Sequence, residues 1–191
     1  MLIVLHGYGQ LGRYFLEKFS AIASDRTFVI APEGMHRFYL SGSSGRVGAS
    51  WMTKEDRETD ISDNLRWLTE LIESYEPKVF KKRAILGFSQ GGATAARLFN
   101  SRQIELNHLI MWASVFPPDI DREKFLHECH PNGENYFVLG EQDEYFSSTE
   151  RDETLNFYRS IGFNTLVFNG KHTIEHETIS QLVSGILDSI R

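Results

Sequence analysis

Ser89 stands between glycines in Gly87-Phe88-Ser89-Gln90-Gly91, a G-x-S-x-G pattern. The apolar run Ala84–Phe88 reads as a strand and 92–100 as a helix, which puts the serine in the tight turn between them. Small flanking residues let backbones approach closely at such a strained turn, although the same five residues also suit a plain glycine-rich turn. A serine hydroxyl is a weak nucleophile. To attack a carbonyl it needs a base within hydrogen-bond reach and an acid that fixes the tautomer of that base.

Both partners have candidates further along the chain. Asp143 lies in Gly140-Glu141-Gln142-Asp143-Glu144, directly after the apolar run 136–139, and His172 lies in Asn169-Gly170-Lys171-His172, directly after 165–168. Glu141 and Glu144 are the rival acids and His176 the rival base; His172 is expected in the loop before the last helix and His176 inside it. The intermediate of such an attack carries an oxyanion, held by backbone N–H groups. One donor is the amide of the residue after the nucleophile, Gln90; the other is expected from His6-Gly7-Tyr8-Gly9, with the Tyr8 amide as candidate. His6 itself reads as a residue that satisfies backbone groups in this turn.

The elements that must position these groups alternate along the chain. Short apolar runs at Leu2–Leu5, 27–31, Ala84–Phe88, 106–113, 136–139 and 165–168 read as strands, and their near-continuous hydrophobicity marks strands covered on both faces. Ile61, Leu65, Leu68, Leu71, Ile72 and Tyr75 recur at helical spacing before Pro77, and Ile179, Leu182, Val183, Ile186, Leu187 and Ile190 make one apolar face of a last helix. Ser147 with Glu150 resembles a capping box opening a further helix that closes near Gly162. The prediction is an α/β fold: a mostly parallel, doubly wound sheet with helices on both faces. In such sheets ligands sit beyond the carboxyl ends of the strands, where all three candidate residues fall.

The segment 35–55, with Arg37, Phe38, Tyr39, Arg46, Trp51 and Met52, follows one of those carboxyl ends and is expected to rim the site as a long loop. Trp51 either lines an acyl pocket there or anchors the loop, and Val115 and Phe116 have similar standing. The length, 191 residues, suits a single domain over 1–191 with no room for a large cap, and so an open site.

Composition excludes other classes. A net charge of -6, from 26 acidic and 20 basic residues, disfavours nucleic acid as a partner; Lys81, Lys82 and Arg83, the only basic cluster in sequence, lead into a strand. Cys129 stands alone and reads as structural, nothing marks an oxidising compartment, and the cytoplasm is the default expectation. Met1 to Leu5 is too short for a signal peptide, and no stretch approaches a membrane span. His172 to His176 spell H-x-x-E-H, the pattern of inverted zinc peptidases, but such a site needs a long helix carrying both histidines and a further ligand, and only 15 residues follow His176. No metal is therefore expected. A non-catalytic binding module on the same shell is the alternative of another class; the complete set of triad residue types argues against it.

His6-Gly7-Tyr8-Gly9, Ala31-Pro32, Ser50-Trp51, Gly87 to Gly92, Gly140 to Asp143 and Gly170-Lys171-His172 span nearly the whole chain in an order that resembles the phospholipase/carboxylesterase family of the α/β-hydrolase superfamily. That group includes acyl-protein thioesterases and small cytosolic carboxylesterases. The resemblance implies the α/β-hydrolase fold and cleavage of carboxylic esters or thioesters through an acyl-enzyme. Its carboxylesterase-like activity has acyl-protein thioesterase or lysophospholipase-type variants. It further implies Ser89, Asp143 and His172 as triad, the Tyr8 and Gln90 amides as oxyanion hole, no cofactor, and a small-molecule ester or acylated substrate. Two departures stand out. The His-Gly loop begins almost at Met1, so the leading edge of the sheet is expected to be trimmed. The segment 35–55 is rich in Arg, Gly and Ser, so substrate preference does not carry over.

Overall fold

Six parallel strands carry the candidate residues, as seen in a computed structural model that describes residues 1–24, 27–75, 80, 82–128 and 134–187. In chain order they are β1 (Leu2–Leu5), β2 (Val29–Ile30), β5 (Ala84–Phe88), β6 (His108–Trp112), β7 (Asn135–Gly140) and β8 (Phe163–Phe168), arranged β2-β1-β5-β6-β7-β8. A separate antiparallel pair, β3 (His36–Tyr39) and β4 (Val47–Ser50), lies between β2 and β5 in sequence. The helices are α1 (Gly12–Leu16), α2 (Arg57–Glu73), α3 (Gln90–Ser101), α4 (Arg122–Glu128), α5 (Ser148–Ser160) and α6 (His176–Leu187). The sheet register aligns Ile3 with Ile85, Leu86 with Ile110 and Met111 with Phe137.

Every residue of β1, β5 and β6 is buried, the condition that the continuous apolar runs imply. Among the described residues no cap domain covers the carboxyl ends, and no helix is long and apolar enough to cross a membrane. The sheet's edge strand β2 is two residues long, shorter than the apolar run 27–31: only Val29 and Ile30 pair with β1, while Thr27 bridges back to Ser24. Strand β6 stops at Trp112, where Ala113 turns to φ 48° and donates its amide to the Val138 carbonyl at 2.8 Å.

Helix α5 begins with the expected capping box: Ser147 Oγ accepts the Glu150 amide at 3.3 Å, and the Glu150 carboxylate accepts the Ser147 amide at 2.9 Å. It ends before Gly162, whose φ of +85° is a conformation glycine reaches without cost. Tyr158 fastens this helix to the sheet. Its ring stacks on Phe137 with centroids 3.8 Å apart, its hydroxyl donates to the Ser114 carbonyl at 2.9 Å, and burial pushes its pKa above the ordinary tyrosine value. Arg97 of α3, also buried, forms a two-pronged pair with Asp119 at 2.8 and 2.6 Å, which holds that carboxyl below its usual range.

The segment 35–55 is not the plain loop its composition suggests. Most of it, from His36 to Ser50, forms the β3–β4 hairpin, closed by the Leu40 amide donating to the Arg46 carbonyl at 2.8 Å and turned by Gly42 and Gly45 at φ +59° and +90°. Strand β3 is largely exposed, and β4 is buried over Gly48, Ala49 and Ser50 but built of small residues, so neither shows the apolar alternation that announces a strand. Lys81, Cys129, Pro77 and Ile190 lie outside the described residues.

Candidate active site

The turn between β5 and α3 sets Ser89 at φ 52°, ψ −120°, a combination that costs a non-glycine residue about 1–3 kcal/mol. The surroundings impose it: the Ser89 amide donates to Trp112 O at 2.9 Å, and the Gly92 amide to Ser89 O at 3.0 Å. The neighbouring glycines are required by contact. A Cβ on Gly87 would sit 2.3 Å from the Gly91 carbonyl oxygen, and one on Gly91 2.4 Å from that of Leu5.

Asp143 and His172 come from adjacent loops stitched edge to edge. The Glu141 amide donates to Phe168 O and the Gln142 amide to Gly170 O, both at 2.8 Å, and the Gln142 side chain reaches Asn169 Oδ1 at 2.8 Å. Trp112 Nε1 holds the Thr173 carbonyl at 2.8 Å, tying the histidine loop back to β6. The result is a 2.8 Å hydrogen bond from His172 Nδ1 to Asp143 Oδ2, with the carboxylate fully shielded from solvent. A carboxylate only accepts, so Nδ1 carries the proton and Nε2 is left with its lone pair. The ring lies between Phe88 and Tyr145, at 4.8 and 4.5 Å between centroids. Glu144 instead accepts the His172 backbone amide at 3.3 Å; its own backbone amide foremost, and then that of His172, lower its pKa. Glu141 is exposed, and His176 is the first residue of α6.

The loop after β1 is fastened by His6. This buried ring accepts the Gly34 amide at Nε2 (2.9 Å) and donates from Nδ1 to the Gly7 carbonyl (2.8 Å), and burial lowers its pKa. The Gly7 amide is held by Gln10 Oε1 at 2.9 Å and the Gly9 amide by Ala49 O at 2.9 Å. Between them the Tyr8 amide donates to no group among the described residues, and neither does the Gln90 amide at the start of α3. The loop presses on the nucleophile: a Cβ on Gly7 would lie 3.3 Å from Ser89 Cβ.

The profile of the serine hydrolase (FSH1) family matches residues 1–178. This chain belongs to that family. The FSH1-family hydrolase shares its fold with solved esterase structures at low identity. SOBER1 from Arabidopsis thaliana superposes with a TM-score of 0.67 at 15% identity, covering 96% of this chain and 95% of its own. A Bacillus cereus carboxylesterase gives 0.64 at 17%, covering 95% and 84%, and the Agrobacterium tumefaciens protein Atu2452, of unknown function, gives 0.68 at 15%, covering 97% and 90%. No curated protein sequence matches the chain. The α/β-hydrolase fold and serine hydrolase chemistry implied by the sequence resemblance are thus found, under the FSH1 family profile.

In the FSH1-family hydrolase a cleft of roughly 530 Å³ opens over Ser89 and His172, lined also by Ala113, Val115, Tyr145 and Phe146. Ser89 Oγ makes no hydrogen bond among the described residues; such bonds commonly tighten only when substrate is bound. Trp51 does not line this cleft, which corrects one reading of it. It is fully buried, donates Nε1 to the His6 carbonyl at 2.8 Å and packs on the His6 ring at 4.9 Å, anchoring the hairpin behind the site. Phe116 is likewise displaced from the Ser89 cleft and lines a smaller cavity next to it. In the H-x-x-E-H pattern Glu175 is occupied as a cap, accepting the amides of Glu177 and Thr178 at 3.0 and 2.7 Å. The side chain of Gln90 is a contributor no sequence pattern announced. It accepts the Trp51 amide at 3.0 Å and donates to Met52 O at 2.8 Å, stapling the hairpin to the start of α3.

His6 makes stability depend on pH. Burial holds its folded-state pKa below the ordinary histidine value of about 6.5, so the unfolded chain binds the extra proton, and stability present above about 6.5 is lost as pH falls below it. Protonated Nε2 would face the Gly34 N–H donor to donor. Denaturant titrations across this range are expected to show the decline in the wild type and a shallower one in His6→Ala. That variant is also expected to lose about 1–3 kcal/mol at neutral pH, because the Gly34 amide is left unpaired.

Proposed function

We propose that this serine hydrolase cleaves carboxylic esters or thioesters through an acyl-enzyme, with Ser89 as nucleophile, His172 as general base and Asp143 as the acid that orients it. The observation that carries the reading is the Asp143–His172 hydrogen bond at 2.8 Å, on a ring that shares one cleft with Ser89. His172 Nε2 takes the Ser89 proton as Oγ bonds to the carbonyl carbon. The oxyanion is met by the two uncommitted amides, Tyr8 and Gln90, each contributing about two to three orders of magnitude. Asp143 balances the imidazolium, which then protonates the departing alcohol or thiol. Water, deprotonated by the same ring, cleaves the acyl-serine and releases the acid.

The acyl half of the substrate fits the apolar side. The cleft over Ser89 and the adjoining cavity of roughly 260 Å³ share Val115 and Thr154, and the second is lined by Phe116 and Phe157. A fluorophosphonate probe is expected to label the native protein. In a chain-length series of p-nitrophenyl esters and matched thioesters, kcat/KM is expected to peak at medium acyl chains. No labelling together with no turnover across the series would overturn the reading.

A further inference from the structure

On the other side of the Tyr8 loop lies a second and larger cleft of roughly 590 Å³, and its lining is chemically unlike the first. Three cations, Arg13, Lys18 and Arg46, converge on it from α1, the turn that follows α1, and the hairpin; among the described lining residues none is acidic. In a chain of net charge -6, carboxylates would be the expected neighbours. None of the three forms an ion pair among the described residues, whereas Arg37, Arg66 and Arg97 all do. The Arg13 guanidinium lies over the Tyr14 ring at 4.7 Å, a stacking that pre-orients its donor fork. Unpaired cations facing one cavity attract an anion, and phosphate oxygens are the acceptors that suit a guanidinium fork best.

The position of the cleft gives that anion a role. Gly9 and Gln10 line it, one and two residues beyond the Tyr8 amide that is proposed to meet the oxyanion. Gly7 of the same loop packs against Ser89, where an added Cβ would lie 3.3 Å from the serine Cβ, and Gly9 borders the cleft; two residues of chain span at most about 7 Å, so the near wall of the cleft stands about one loop's width from the nucleophile. Phe15, which forms part of the lining, stacks on Phe88 at 6.0 Å, and Phe88 in turn contacts His172. The serine therefore sits between a side rich in apolar groups, whose one cation, Arg122, is accompanied by Glu153, and a side whose charges are all basic. We propose that the basic cleft binds a phosphate group on the leaving half of the substrate, making the enzyme a hydrolase of acyl esters or thioesters of phosphorylated alcohols or thiols. The products are the carboxylic acid and the phosphorylated alcohol or thiol, with water as the only co-reactant. This specificity rests on the ester-cleaving reading of Ser89.

Two matched substrate pairs separate the possible sources of the phosphate. Octanoyl-coenzyme A against octanoyl-N-acetylcysteamine tests a phosphorylated thiol, and monooctanoylglycerol phosphate against monooctanoylglycerol tests a phosphorylated alcohol. The phosphorylated member of one pair is expected to be favoured in kcat/KM by about tenfold or more, and which pair shows it names the source. That preference is expected to fall towards unity when Arg13→Gln, Lys18→Gln and Arg46→Gln are combined, and to shrink between about 0.05 M and about 0.5 M salt. A control combining Arg66→Gln, Arg102→Gln and Arg159→Gln changes net charge equally but lies outside both clefts, and should keep it. Absence of preference in both pairs, or its survival in the cleft variant, overturns the proposal. Calorimetric titration with inorganic pyrophosphate reads the cleft without turnover. Binding to the wild type that is lost in the cleft variant is expected, and no binding to the wild type refutes the subsite even if neutral esters are cleaved. Pyrophosphate binding in a protein that cleaves no p-nitrophenyl ester would instead refute the role of Ser89.

Discussion

Ser89→Ala is expected to lower kcat on any ester the enzyme accepts by about six orders of magnitude, because the three residues act as a unit and removing one forfeits the acyl-enzyme route. The loss should appear in kcat with KM little changed, since the cleft lining is untouched, and fluorophosphonate labelling should vanish. The backbone supplies an independent control. Ser89 is held at φ 52°, so Ser89→Gly removes a Cβ from a strained conformation and is expected to raise stability by about 1 kcal/mol while abolishing activity. A variant that melts higher than the wild type and turns nothing over cannot owe its inactivity to misfolding. Near-normal ester hydrolysis by either variant would refute the assignment of the nucleophile.

The parts of this site that can be read from the chain are those whose chemistry is tied to local order. The strand at 84–88, the strained serine and the helix after it form one continuous signal, because each glycine of the motif is forced by a backbone contact within the turn or with β1. The meeting of Asp143 and His172 was legible for a related reason: Asp143 follows the buried strand β7 and His172 follows its parallel neighbour β8, an edge strand buried only at its two ends, and parallel strands deliver their carboxyl ends to one edge. Trp51 was not, because its even standing between pocket wall and anchor depends on where the indole nitrogen finds an acceptor. That acceptor, the His6 carbonyl, is 45 residues away. The hairpin was not legible because β3 is exposed and β4 buries only small residues, so neither carries apolar alternation, and its glycines suit a loop equally well.

The basic cleft shows the same limit more sharply. Along the sequence the only cluster of cations is at 81–83, while Arg13, Lys18 and Arg46 are scattered among neutral and acidic residues. They meet only because the hairpin is bonded back onto the loop after β1. Ala49 and Gln10 pair there, and Gly48 lies so close to Gly9 that a Cβ would approach its carbonyl oxygen to 2.4 Å. Net charge excludes a broad electrostatic grip on an anion, but it says nothing about a local one.

Asp143→Asn is expected to lower kcat by about four orders of magnitude with the fold retained, and the surrounding hydrogen bonds say why so small a change is so costly. The carboxylate serves two donors at once: Oδ1 accepts the Tyr145 amide at 3.0 Å and Oδ2 accepts the His172 ring at 2.8 Å. An asparagine has one oxygen and one NH₂. The Tyr145 backbone can only donate, so the oxygen must turn towards it and the NH₂ towards the imidazole. His172 can relieve the resulting donor clash only by shifting its proton from Nδ1 to Nε2, and a ring protonated at Nε2 has no lone pair for the Ser89 hydroxyl. Neither neighbouring acid can take over. Glu144 is engaged at the His172 backbone, and Glu141 points to solvent with its carbonyl held by Arg151 at 2.7 Å. Single-turnover kinetics should place the loss in acylation. A decrease of less than about tenfold would mean that the Asp143–His172 contact does not set the tautomer, and would return the search for the orienting acid to Glu144.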